Sequence, residues 1–266
     1  MHFSNYKLHF FIATFLLALC VVFQMIGLPE NIDLFFALNI WGRQINEAVW
    51  SFLTLLGDTG ILWPMLLIFS INSINSVYAV LAAVPLGGFL SVALKSLFDS
   101  SRPAGVLQIE DFHVIGPVLK THSFPSGHTI TIFAAISALI YTCAFKNKNF
   151  NLLARFAFIC IAFLVALSRV MVGAHWPIDC LAGACVGWIS GLSGQYLVER
   201  FKQNLLGIRL EITMVCLLWI LSVSNFFRTF ADPMGYLAVQ TSFLIATLMF
   251  IAYLYKNKRS IAGFFS

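Results

Sequence analysis

Apolar residues run in long stretches along most of this chain, and a stretch of about 20 is what an α-helix needs to cross the hydrocarbon core of a bilayer. Such stretches lie near 8–27, 59–73, 76–98, 127–146, 151–170, 176–198, 210–227 and 235–255, and they predict eight helical spans. The second is short and interrupted by Trp63 and Pro64. The first follows Lys7, and its apolar run exceeds the roughly 7–15 residues of a signal-peptide core. Gln24 to Gly27 also makes a poor cleavage site, so the segment reads as a retained anchor. Between the first two spans, Leu34, Leu38, Trp41 and Ile45 recur at helical spacing among Asn31, Asp33, Arg43 and Glu47. That pattern predicts an amphipathic helix lying on the outer membrane surface.

Composition narrows the class further. Apolar residues make up 60% of the 266, and charged residues 10%. A soluble fold of this size needs a polar exterior that so few charges cannot cover, and intrinsic disorder needs the opposite composition. The fold class is therefore all-α, a polytopic transmembrane helical bundle of about eight spans. It divides into a first anchor with its interfacial segment (1–58), a central unit (59–200) and two additional C-terminal helices (201–266).

The net charge of +5 does not indicate nucleic acid, because the basic residues sit in short clusters between apolar runs. Cytoplasmic loops of membrane proteins carry an excess of Lys and Arg. With eight spans and both termini inside, Lys7, Lys146, Lys148, Arg155, Arg200, Lys202, Arg209, Lys256, Lys258 and Arg259 face the cytoplasm. Arg43, Lys95, Arg102, Lys120, Arg169 and Arg228 face outside. Cys20, Cys143, Cys160, Cys180, Cys185 and Cys216 lie in or beside apolar runs without a CxxC pair, which suggests packing residues rather than zinc ligands or disulfides.

Three polar groups at the outer ends of spans carry the candidate chemistry. Lys95 and Arg102 are seven residues apart, which places them on one helical face if the helix continues that far. Two such cations can hold the oxygens of one oxyanion. Pro125-Ser126-Gly127-His128 precedes an apolar run, so Ser126 is placed to cap a helix whose free N–H groups favour an anion. Gly127 would let a ligand approach the backbone, and His128 would project from the first turn. In the third group His175 and Asp179 are four apart at a helix start, with Pro177 in its first turn and Arg169 nearby. A carboxylate there can fix the imidazole tautomer and leave the other nitrogen free as base or nucleophile. Three cations, helix N–H donors and two histidines form a set suited to binding a phosphate and transferring it through histidine.

These motifs resemble the type 2 phosphatidic acid phosphatase superfamily of integral membrane lipid phosphatases. Its signature K-x6-RP, PSGH and SR-x5-H-x3-D is matched by Lys95 to Pro103, Pro125 to His128 and Ser168 to Asp179. The resemblance covers about 60–198 and implies a six-helix phosphatase core, which the last two spans exceed. It implies that His175 attacks phosphorus to form a phosphohistidine, that Asp179 orients it, and that His128 protonates the leaving oxygen. Lys95, Arg102, Arg169, Ser126 and Gly127 would bind the phosphate, with neither metal nor cofactor. The implied partner is a phosphorylated lipid, of undecaprenyl diphosphate, phosphatidic acid, phosphatidylglycerol phosphate or lipid A type, met at the extracytoplasmic face of a bacterial inner membrane. The polyprenyl diphosphate is favoured. A lipid phosphotransferase would share the chemistry. A transporter fits less well, since its charges belong near the bilayer midplane and these collect at one face. The loop 104–124 carries Glu110, Asp111, His113, Lys120 and His122, which could shape head-group choice or simply be solvated. No role is assigned to His2 or His9.

Overall fold

In a computed structural model the described residues are 3–27, 29–142, 148–205, 207–228 and 233–258. His2, Cys143, Lys146 and Arg259 lie outside them, as do the side chains of Lys148 and Lys202. Among the described residues all regular structure is helical. The chain runs α1 (Phe3–Ile26), α2 (Pro29–Gly42), α3 (Glu47–Leu55), α4 (Thr59–Ser70), α5 (Ile74–Phe98), the single turn α6 (Pro103–Val106), α7 (Gly127–Thr142), α8 (Lys148–Met171), α9 (Pro177–Leu205), α10 (Ile208–Phe226) and α11 (Pro233–Lys256).

A helix stands at each of the eight expected spans. By length and apolarity, five of the described helices can cross a membrane, or six if α3 and α4 form one bent span. Helix α7 is apolar but has only 16 residues. Helix α9 is long, but glycines, serines and Gln195 dilute its apolar content.

The centre of the bundle is the trio α5, α7 and α9. Helices pack closely in membranes where small residues let backbones approach, and α9 places Gly183, Gly187 and Gly191 four residues apart on one stripe. A Cβ at Gly183 would come within 2.8 Å of the Ser126 carbonyl, and one at Gly187 within 2.6 Å of the Ile130 carbonyl. The stripe therefore fixes how near α9 comes to the start of α7. Helices α1 and α8 flank this trio, while α10 and α11 pack on α4 and α11 also reaches α3.

Three expectations about elements change. The interruption at Trp63-Pro64 lies inside the unbroken α4, and the break falls earlier, where α3 and α4 meet at 64° around Gly57 and Asp58. Asp58 caps α4 by accepting from the Gly60 N–H at 2.7 Å. The amphipathic segment forms two helices, α2 and α3, and α2 is keyed into the bundle rather than merely laid on it. Phe35 is buried edge-on against Phe112 and Trp176, and buried Asn39 donates to the carbonyls of His113, Val170 and Met171. Lastly, α5 stops before Arg102, because Asp99 turns left-handed at φ 38°. Lys95 and Arg102 therefore do not share a helical face.

Candidate active site

The three polar groups meet at one end of the bundle. After α5 ends, Arg102 returns by pairing with the loop before α7: its N–H donates to the Lys120 carbonyl, and Ser123 N–H donates to the Ser100 carbonyl, each at 2.9 Å. This pairing brings Arg102 back beside Lys95 without a continuous helix. Lys95 Nζ donates to the His122 carbonyl at 2.9 Å. Arg102 donates to Thr121 at 2.9 Å and to Ala174, the residue before His175, at 3.1 Å. Its side chain thus bridges the loops of the second and third motifs.

Arg169 sits in the last turn of α8, and its carbonyl accepts the N–H groups of Ala174 and His175 at 3.1 and 3.2 Å. Those bonds close the turn that aims His175. The guanidinium donates to the Thr54 hydroxyl of α3. Gly173 allows the turn, with φ +72° and Phe112 packed where a side chain would start.

His175 is 2% exposed and Asp179 is fully buried. His175 Nδ1 lies 3.3 Å from Asp179 Oδ2, the i,i+4 contact expected from the sequence. The same carboxylate oxygen accepts from the Trp176 N–H at 2.9 Å and the Ser123 hydroxyl at 2.5 Å. Ser123 Oγ also stands 3.5 Å from His175 Nδ1. With Nδ1 turned to the carboxylate, Nε2 is the nitrogen left for chemistry. Burial, then the positive charges of Arg102, Arg169 and Lys95, hold the His175 imidazole well below the ordinary histidine value. The ring is thus neutral at pH 7, the state a nucleophile needs.

The second motif is tied directly to the third, since the Ser126 N–H donates to the Asp179 carbonyl at 3.0 Å. The first helical bond of α7 is made by Ile130 N–H to the Ser126 carbonyl at 3.0 Å. The N–H groups of Gly127, His128 and Thr129 precede it and form the open end of the helix. The Ser126 hydroxyl is buried and accepts from Thr129 Oγ1 at 3.0 Å. Gly127 has only Ser91 Oγ, at 3.8 Å, near the site of a Cβ, so its Cα face is uncrowded. His128 keeps part of its surface exposed, unlike His175.

Sequence reasoning missed Ser123 and Thr54, which touch Asp179 and Arg169 respectively. Neither carries a local signal, because each reaches its partner across the fold. Of the loop residues, His113 pairs with Glu47 at 2.7 Å and His122 lies 3.6 Å from Asp99, so both face other side chains at the motif end of the bundle.

Similarity to known proteins covers the same stretch of the chain. The PAP2 superfamily model matches residues 76–203, the stretch that holds every one of the candidate residues. An undecaprenyl-diphosphatase of Sulfolobus acidocaldarius is 30% identical over 67% of this chain and 86% of its own length. The chain belongs to the PAP2 superfamily. A lipid A 1-phosphatase of Rhizobium etli is 35% identical over 41% of the chain and 45% of its own length, so that match covers less than half of either protein. The fold is that of a transmembrane PAP2-type phosphatidylglycerolphosphate phosphatase from Bacillus subtilis, with a TM-score of 0.55 at 21% identity over 74% of this chain and 98% of that one. The PAP2 match ends at 203, and α10 and α11 lie beyond it.

Proposed function

We propose that this protein hydrolyses a phosphate or diphosphate ester of a membrane lipid through a phosphohistidine on His175, at the extracytoplasmic face of the membrane. Membership of the PAP2 superfamily makes the chain a membrane lipid phosphatase in class. The observation that carries the mechanism is the 3.3 Å contact of His175 Nδ1 with Asp179 beneath three cations.

His175 Nε2 attacks the terminal phosphorus, and its bond to the leaving oxygen breaks, the lipid oxygen in a monophosphate or the bridging oxygen in a diphosphate, where the lipid monophosphate departs. His128 gives its proton to that departing oxygen. Lys95, Arg102 and Arg169, with the N–H groups at the start of α7, hold the remaining phosphate oxygens as charge redistributes. Asp179 holds the proton on Nδ1 and balances the cation that develops on the ring. His128, now neutral, takes a proton from water as the water oxygen attacks phosphorus. The P–N bond breaks, inorganic phosphate leaves and His175 is regenerated. Three fixed cations supply the charge that metal ions supply in other phosphoryl-transfer sites, so the reaction proceeds without added divalent metal.

A lipid substrate is supported by a groove of ≈ 550 Å³ beside the site, lined by Phe23, Asn31, Ile32, Val106, Trp176 and Leu181 among others. It runs between the outer ends of α1 and α9 and the start of α2, where an apolar chain can stay in the bilayer while its head group reaches His175. Among head groups a polyprenyl diphosphate is the favoured substrate, consistent with the archaeal relative's activity.

The test is phosphate release by purified protein in detergent across undecaprenyl diphosphate, phosphatidic acid, phosphatidylglycerol phosphate and lipid A, with excess EDTA. The expected result is EDTA-resistant release that is inhibited by vanadate and fastest with the polyprenyl diphosphate. Loss of all activity in EDTA, restored by magnesium, contradicts the three-cation scheme.

A further inference from the structure

The helices beyond the PAP2 match do more than fill the membrane. Pro64 has no N–H, so the carbonyl four residues earlier, at Gly60, loses its helical donor. In lipid such a freed carbonyl must be satisfied from elsewhere. Asn225, in the last turn of α10, donates to it at 2.7 Å. Two residues beyond the end of α10, Arg228 grips the helix cap Asp58 with two bonds, Nη1 to Oδ1 at 2.7 Å and Nη2 to Oδ2 at 3.0 Å. Gly60 makes room for this grip, since a Cβ there would press on the side chains of both Asn225 and Arg228.

The other side of the same break faces the catalytic groups. A Cβ at Gly57 would fall 2.9 Å from both the Cβ and the carbonyl of His128, so the break is in direct contact with that residue. Asp58 lies within electrostatic reach of His128 and Arg169. Thr54, one helical turn earlier, takes the Arg169 guanidinium. Thus the α3–α4 break is held from outside by α10 and presents its inner side to the acid and one cation of the phosphate site. The charged groups within reach of His128 are Arg169 from α8, Asp58 from the break, Arg102 from the loop after α5 and Lys95 from α5.

We infer that Asp58 and Arg228 are positioning residues for phosphoryl transfer: the C-terminal helices, through this clamp, set the placement and charge environment of His128 as the leaving-group acid. This rests on the role proposed for His128. The prediction is selective. A weakened acid slows the departure of a lipid alkoxide, whereas an aryl phosphate expels a phenolate that needs little protonation. A fold that is merely loosened slows both.

The experiment measures kcat and KM of the full-length protein with a lipid monophosphate and with para-nitrophenyl phosphate. Asp58→Asn keeps an acceptor for the α4 cap and removes the charge. It should lower kcat on the lipid by about 10-fold, part of the roughly 10²–10⁴-fold that general acid catalysis supplies, with KM and the aryl rate within about twofold. Arg228→Ala should show the same split, and Arg228→Lys should recover part of it. Equal losses on both substrates, or no loss on either, overturn the inference. His128→Ala run alongside separates the two levels. If it spares aryl turnover and Asp58→Asn does not, the clamp alone is refuted. If it too loses both rates, the acid role falls and the inference with it.

Discussion

At the scale of single residues, the site is organised around one carboxylate oxygen. Asp179 Oδ2 faces His175 Nδ1, the Trp176 N–H and the Ser123 hydroxyl. Three donors on one oxygen leave the imidazole little freedom to turn, and that is what a nucleophile in line with phosphorus needs. Ser123→Ala removes one bond to a charged group, worth roughly 1.5–3 kcal/mol where it is fully felt. Because Ser123 touches the proposed nucleophile pair and not the leaving group, kcat should fall by about 10-fold or more on lipid and aryl phosphates alike, with KM little changed. Steady-state kinetics on both substrates check this, and a loss confined to the lipid substrate would place Ser123 on the acid side instead. The candidate residues that the fold gathers at one end could be picked out in the sequence because they occur in short, dense motifs. Ser123, Thr54 and Asp58 were not, since their partners are 56, 115 and 170 residues away and no local pattern points to them.

At the scale of elements, apolar runs located each long helix, because a bilayer demands length and hydrophobicity from every span. They did not show where the chain bends between α3 and α4. Spacing put Lys95 and Arg102 on one face only if the helix ran on past residue 98; the Asp99 turn ends it there, and hydrogen bonds to the 120–124 segment return the arginine to Lys95. Likewise Pro64 suggested the interruption of the second span. Being in the sixth position of α4, it leaves the helix intact, and Asn225 supplies the bond it forfeits. In both cases the outcome is decided by a partner far along the chain. Segment 28–58 shows the same limit: Asn31 reads as part of a wet face, yet its side chain accepts the Ile178 N–H at 3.1 Å and joins α2 to the start of α9.

At the scale of the whole molecule, the two ends of the bundle are chemically distinct. The three motifs, the α3–α4 break and Arg228 gather at one, while Lys256, which bonds to the Ile71 carbonyl, marks the other. The proposal that the motif end faces outside rests on the distribution of Lys and Arg. A cysteine at the exposed Leu119 should then react with a membrane-impermeant thiol reagent in intact cells, in a background lacking the native cysteines, and one at Lys258 only after lysis. The reverse pattern would turn the active site to the cytoplasm.

The central claim is that phosphorus passes through His175, and trapping the covalent intermediate tests it most directly. Protein quenched rapidly during turnover of a ³²P-labelled phosphate ester should carry acid-labile, base-stable label on a peptide containing His175. His175→Ala should carry none, whereas His128→Ala should still be labelled by an aryl phosphate. Label that persists in His175→Ala, or that disappears only in His128→Ala, would contradict the account and assign the nucleophile elsewhere.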